Sequence, residues 1–119
     1  MNNIQDTIDK IKQGKFNEEE LSQYLDSTLV LIKANAIMAI IKFSITEINI
    51  INKLHEISLR VNIESKVIGL CTNRHLAMAA LRLLNTSKAL ELFKSSINQV
   101  DIDTRKDIEK LINQLPQII

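Results

Sequence analysis

Apolar side chains recur along the chain with the spacing of α-helices. In residues 2–13, Ile4, Ile8 and Ile11 lie three or four positions apart, with charged side chains between them. This spacing places the isoleucines on one face of a helix and the charged residues on the other. Similar stripes continue to the end of the chain and predict about eight helices, over residues 2–13, 17–25, 29–43, 46–59, 62–71, 74–84, 88–98 and 101–115.

The links between these stripes carry residues that begin or end helices. Gly14 stands where helices commonly end. Asn17, the cluster 26–28 and Asp101 can each accept a hydrogen bond from the first turn of the helix that follows. Pro116 is expected to end the last helix, because proline has no N–H to donate. The links are short, as between neighbouring antiparallel helices, and predict an all-α fold.

Two blocks of the chain resemble each other. Lys33–Asn52 can be laid over Arg74–Phe93 with a shift of 41 positions, and both blocks read as helix, polar link, helix. The residues that match are Lys33 and Arg74, Ala36 and Ala77, Ala39 and Ala80, Ile40 and Leu81, Thr46 and Ser87, and Ile51 and Leu92. A two-helix period of about 40 residues, with alanines where helices must approach closely, resembles the HEAT repeat. A weaker third copy starts at Asp103, with Arg105 in the basic position.

The resemblance implies a HEAT-like right-handed α-α superhelix. In that family the basic residue commonly pairs with an acidic or carbonyl group of the neighbouring repeat, which implies structural roles for Lys33 and Arg74. The second helices of the repeats line the concave face. A compact helical bundle is the alternative fold. The predicted organisation is a single domain over 1–119, with capping helices in 1–26, two repeat-like helix pairs in 28–98 and a capping helix in 101–115.

Charge is distributed unevenly, although the net charge is only +1. Residues 1–30 carry three lysines and six acidic side chains, whereas residues 31–90 carry eight basic and three acidic ones. A protein that binds duplex nucleic acid usually has a stronger basic excess. The basic middle segment is sufficient to steer association with an acidic partner surface.

The sequence predicts a cytoplasmic protein without a membrane segment. The richest apolar stretch, residues 34–41, lies between Lys33 and Lys42 and is far shorter than the roughly 20 residues that span a bilayer. The acidic amino terminus has no apolar core of a signal peptide. Cys71 is the only cysteine, so no intramolecular disulfide can form.

No residue pattern of a common enzyme class is present. The chain lacks GxGxxG, GxxxxGK[ST], HExxH, CxxC and GxSxG motifs. His55 and His75 have no nucleophile or carboxylate set around them, and Cys71 with His75 lacks the further ligands of a zinc site. Two acidic clusters, the Glu18–Glu20 run and the set Asp101, Asp103 and Asp107, are better explained as helix starts than as cation sites. We therefore predict a non-enzymatic protein with no catalytic residue, cofactor or metal.

The predicted partner-binding surface is the polar side of the second helix in each repeat. A stacked pair of repeats would join these sides into one ridge on a rigid scaffold. Its residues are Asn49, Asn52, Lys53, Glu56, Lys88, Glu91, Lys94 and Ser95.

The expected function is that of a protein-protein interaction module. Among small non-enzymatic bacterial proteins, immunity proteins that bind and neutralise a cognate toxin are a recurrent class, and the Ile-, Lys- and Asn-rich composition is typical of an AT-rich bacterial genome. Binding of nucleic acid through the basic middle segment is the alternative. The pattern leaves the identity of the partner and the oligomeric state open.

Overall fold

The computed structural model describes residues 3–61 and 64–119, and these residues form seven α-helices. Within those ranges there is no strand, only an isolated antiparallel bridge between Ile68 and Cys71. The all-α prediction is therefore confirmed. The helices are α1 Asn3–Lys12, α2 Glu18–Leu25, α3 Val30–Lys42, α4 Ile48–Leu59, α5 Asn73–Leu84, α6 Ser87–Ile97 and α7 Ile102–Ile118.

Contacts between the links show that successive helices run in opposite directions. At one end of the molecule the ring of Phe16 meets the ring of Phe43 edge-on, with centroids 6.4 Å apart, so the α1–α2 link touches the α3–α4 link. At the other end Asn73 Nδ2 donates to the carbonyl of Val30 at 3.1 Å, which joins the start of α5 to the start of α3. The radius of gyration, 13.3 Å, is that of a compact domain of this length.

Helix α5 lies at the centre of the molecule. It packs against α3, α4, α6 and α7. Its residues 76–81 are all fully buried, so this helix has no free face along its middle. Ala77, Ala79 and Ala80 supply the small side chains that let neighbouring helices approach closely. Helix α3 is less enclosed, because its Leu31 is exposed to solvent.

The pairing of the other helices sets the position of each surface. Both α1 and α2 pack on α3, while α4 packs on α5, α6 and α2. The last helix, α7, packs on α5 through Ile108, Leu111 and Leu115, which are all buried. The largest group of buried side chains is continuous from Leu21 in α2 to Leu115 in α7, and one core therefore joins nearly all the helices. Within the described ranges no helix has the length and apolar character needed to cross a membrane.

The segment between α4 and α5 differs from the prediction. A short helix was expected over 62–71. Residues 62 and 63 lie outside the described residues, and residues 64–71 form a turn in which Val67 N donates to the carbonyl of Cys71 at 2.8 Å. Gly69 lies in the turn with φ +54°, a left-handed conformation that breaks a helix. The chain therefore has seven helices in its described part instead of about eight.

The prediction for the end of the last helix was also wrong. Helix α7 continues through Pro116 to Ile118. Proline removes only one hydrogen bond here, and only one turn follows it. Ile119 N donates to the carbonyl of Leu115 at 3.2 Å and completes that turn.

Candidate protein-binding surface

Helix α4 presents its four predicted residues as one stripe. Asn49, Asn52, Lys53 and Glu56 follow one another at intervals of three, one and three residues, which places them along one side of the helix. The opposite side is fixed in the core, where the buried residues are Ile50, Ile51, Leu54, Ile57 and Ser58. Asn49, Asn52 and Glu56 are exposed, and Lys53 is half-buried. The core therefore holds this polar stripe toward solvent.

Lys53 is engaged with another helix. Its Nζ lies 2.6 Å from Oδ2 of Asp26, the residue that follows the last turn of α2. A quarter of the Lys53 side chain is exposed, and half of that of Asp26. The ion pair ties α4 to α2, so the first role of Lys53 is to hold two helices together.

Helix α6 carries the other four predicted residues. Lys88, Glu91, Lys94 and Ser95 are all exposed. Lys88 Nζ and Glu91 Oε2 are 3.8 Å apart, a distance and exposure at which an ion pair contributes little to stability. Ala89 and Ser96 are buried on the other side of the helix. This orients the stripe outward in the same way as on α4.

The two stripes lie on neighbouring helices, because α4 and α6 pack against each other. Together they are called the α4–α6 ridge below. In the described ranges no hydrogen bond or ion pair joins a residue of one stripe to a residue of the other, and Lys53 turns instead toward Asp26. The ridge holds three lysines and two glutamates, so it is a surface of mixed charge.

The side chains that could act in catalysis or bind a metal are those of His75, Cys71 and His55. His75 Nδ1 accepts a hydrogen bond from Thr72 N at 3.2 Å, at the start of α5. Cys71 is buried, and this burial, together with the charge of Asp107, raises the pKa of its thiol. A thiol in that state is a poor nucleophile at neutral pH. The Nε2 atom of His55 is buried and has no hydrogen-bond partner among the residues that the structure describes.

One residue of each acidic cluster takes part in capping a helix. Asn17 Oδ1 accepts from Glu20 N at 2.8 Å, and the Glu20 carboxylate accepts from Asn17 N at 3.0 Å. Asp101 Oδ1 accepts from Thr104 N at 2.7 Å, and hydrogen bonding with the side chain and the backbone of Thr104 lowers the pKa of Asp101. In the part of the chain that the structure describes, no three His, Cys, Asp or Glu side chains form a group that would hold a metal.

A second surface was missed by sequence reasoning. Helices α1 and α2 leave a groove between them over the start of α3, with a volume of about 400 Å³. The residues that line it are all uncharged, and they are Asn3, Ile4, Thr7, Gln23, Tyr24, Ser27, Leu29 and Ile32. We call it the α1–α2 groove. The signal in the sequence is the apolar Leu29 directly after the cluster of capping residues 26–28.

Comparison of the chain with protein-family models, with curated proteins and with solved structures finds no match. Its function has to be argued from the geometry and chemistry of its own residues.

Proposed function

We propose that the chain is a non-enzymatic protein-protein interaction module and that the α4–α6 ridge contacts its partner. The observation that carries this proposal is the arrangement of α4 and α6. Two helices packed side by side are fixed by buried side chains, and they present seven exposed polar side chains of mixed charge. A rigid polar surface of this kind binds a partner at a low entropic cost.

We also propose that the helices form a HEAT-like superhelix. In a solenoid the first helices of successive repeats stack on each other, as do the second helices. The packing of α3 on α5 and of α4 on α6 supports this arrangement. Arg74 Nε donates to the carbonyl of Ser58 at 2.9 Å, and Arg105 Nε donates to that of Ile97 at 3.1 Å. Each arginine therefore bonds to the end of the preceding helix, which supports the structural role that HEAT repeats give to this position.

A protein is the preferred partner because three of the eight basic side chains in the middle segment, residues 31–90, are buried or paired inside the molecule. Lys33 is only 8% exposed, Lys53 is paired with Asp26, and Arg74 bonds to the Ser58 carbonyl. These side chains are not available to neutralise phosphates. Binding to nucleic acid needs several exposed cations on one surface.

The narrower proposal is that the chain is a cytoplasmic bacterial immunity protein that neutralises a cognate toxin. It is supported by the helical scaffold and by a ridge of mixed charge that fits recognition by surface complementarity. Mixing the protein with its cognate toxin domain, among the candidates, should give a stable complex. Co-expression with that toxin should protect the cells that produce it. Absence of a complex and of protection with all of them would remove this narrower proposal.

The ridge is tested by charge reversal with a matched control. Lys88→Glu combined with Lys94→Glu alters two exposed ridge residues, and Lys106→Glu combined with Lys110→Glu makes the same charge change on exposed positions of α7. The ridge variant should bind the partner about tenfold or more weakly, as measured by calorimetry, while the α7 variant keeps its affinity. Equal effects of the two variants would contradict the ridge as the contact surface. A steep fall of affinity with salt for DNA or RNA would favour the alternative function.

A further inference from the structure

We draw no further inference here: the strongest candidate, the cavity of about 360 Å³ between the carboxyl ends of α1, α3 and α7, has Lys12 and Lys42 in its lining, but each lysine is the last residue of its helix, where its charge offsets the helix dipole, and nothing in the structure shows what covers the apolar part of the cavity.

Discussion

Gly14 ends α1 in a conformation that other residues adopt only with strain. Its φ is +74°, and a Cβ atom added to it would lie 3.0 Å from Cζ of Phe43. Gly14→Ala should therefore destabilise the fold by about 1–2 kcal/mol from the left-handed backbone alone, and further because the Phe43 ring has to shift. Chemical unfolding followed by circular dichroism measures the loss.

Gly69 provides the control for this substitution. It also has a positive φ, +54°, but no atom of the described residues lies within 4 Å of the position of its Cβ. Gly69→Ala should show only the backbone cost, so Gly14→Ala should be the more destabilising of the two. Equal losses of stability in the two variants would mean that the Phe43 ring shifts without a cost in free energy.

His75 makes the stability of the fold sensitive to acid. Burial and the charge of Arg74 lower the pKa of His75, and the carboxylates of Asp107 and Asp101 oppose this only in part. The imidazole ring of His75 is neutral while its Nδ1 atom accepts the hydrogen bond from Thr72 N, because a protonated Nδ1 cannot accept a hydrogen bond. Protonation would remove this bond at the start of the central helix.

The sign of the effect follows from the lowered pKa. As the pH falls through about 6.5, the unfolded chain takes up a proton at His75 more readily than the folded one, so the free energy of unfolding decreases until the folded state is protonated too. Urea unfolding between about pH 7.5 and about pH 5 measures this decrease. His75→Gln should reduce the pH dependence, because glutamine can bond to the same N–H without titrating. An unchanged pH dependence in that variant would contradict the role of His75.

At the scale of the elements, two arginines hold helix ends in place. Arg74 of α5 donates a hydrogen bond to the Ser58 carbonyl near the end of α4. Arg105 of α7 donates to three carbonyls at the end of α6 and just after it, those of Ile97, Asn98 and Val100. The last carbonyls of a helix have no partner within the helix, so a charged donor there satisfies them and favours the helix dipole.

Arg74→Met should cost about 1–2 kcal/mol, since it removes a charged donor from the carbonyl of the buried Ser58. Arg82→Met on the same helix is the control. Arg82 is exposed and makes no hydrogen bond or ion pair in the described part of the chain. Thermal and urea unfolding of the two variants should differ clearly, and similar midpoints would show that the Ser58 carbonyl finds another donor at no cost.

The helices that the sequence predicted well are those whose first turn follows a residue that can cap it. Asn17 begins α2, Thr86 begins α6 and Asp101 begins α7, each through a side-chain hydrogen bond to its own first turn. The segment 64–71 was predicted poorly because its apolar residues fit a short helix as well as a turn. Its turn is determined by Gly69 and by hydrogen bonds between Val67, Ile68 and Cys71.

At the scale of the whole molecule, the continuous core predicts that the chain unfolds in one step. Tyr24 on α2 is the only tyrosine, and Ile108 on α7 is fully buried near the other end of the chain. Ile108→Ala should cost about 2–5 kcal/mol by leaving a cavity. It should shift the unfolding seen by Tyr24 fluorescence and that seen by far-ultraviolet circular dichroism to the same extent.

Glu109→Ala, at an exposed neighbouring position, is the control and should leave both transitions nearly unchanged. Two separate transitions in Ile108→Ala, with Tyr24 reporting the unaltered one, would show that the ends of the molecule unfold independently. That behaviour is typical of long repeat arrays with weak coupling between neighbours.

The sequence by itself determined most of the helical segments and which side of most helices is buried, because helix caps and apolar spacing act over a few residues. It also placed the polar stripes of α4 and α6. Only the tertiary structure decided that α5 is central, that Lys53 turns to Asp26, and that Leu29 stands exposed in a groove. These features depend on which helices become neighbours. That choice is a property of the whole packed core, and residues far apart in the chain contribute to it together.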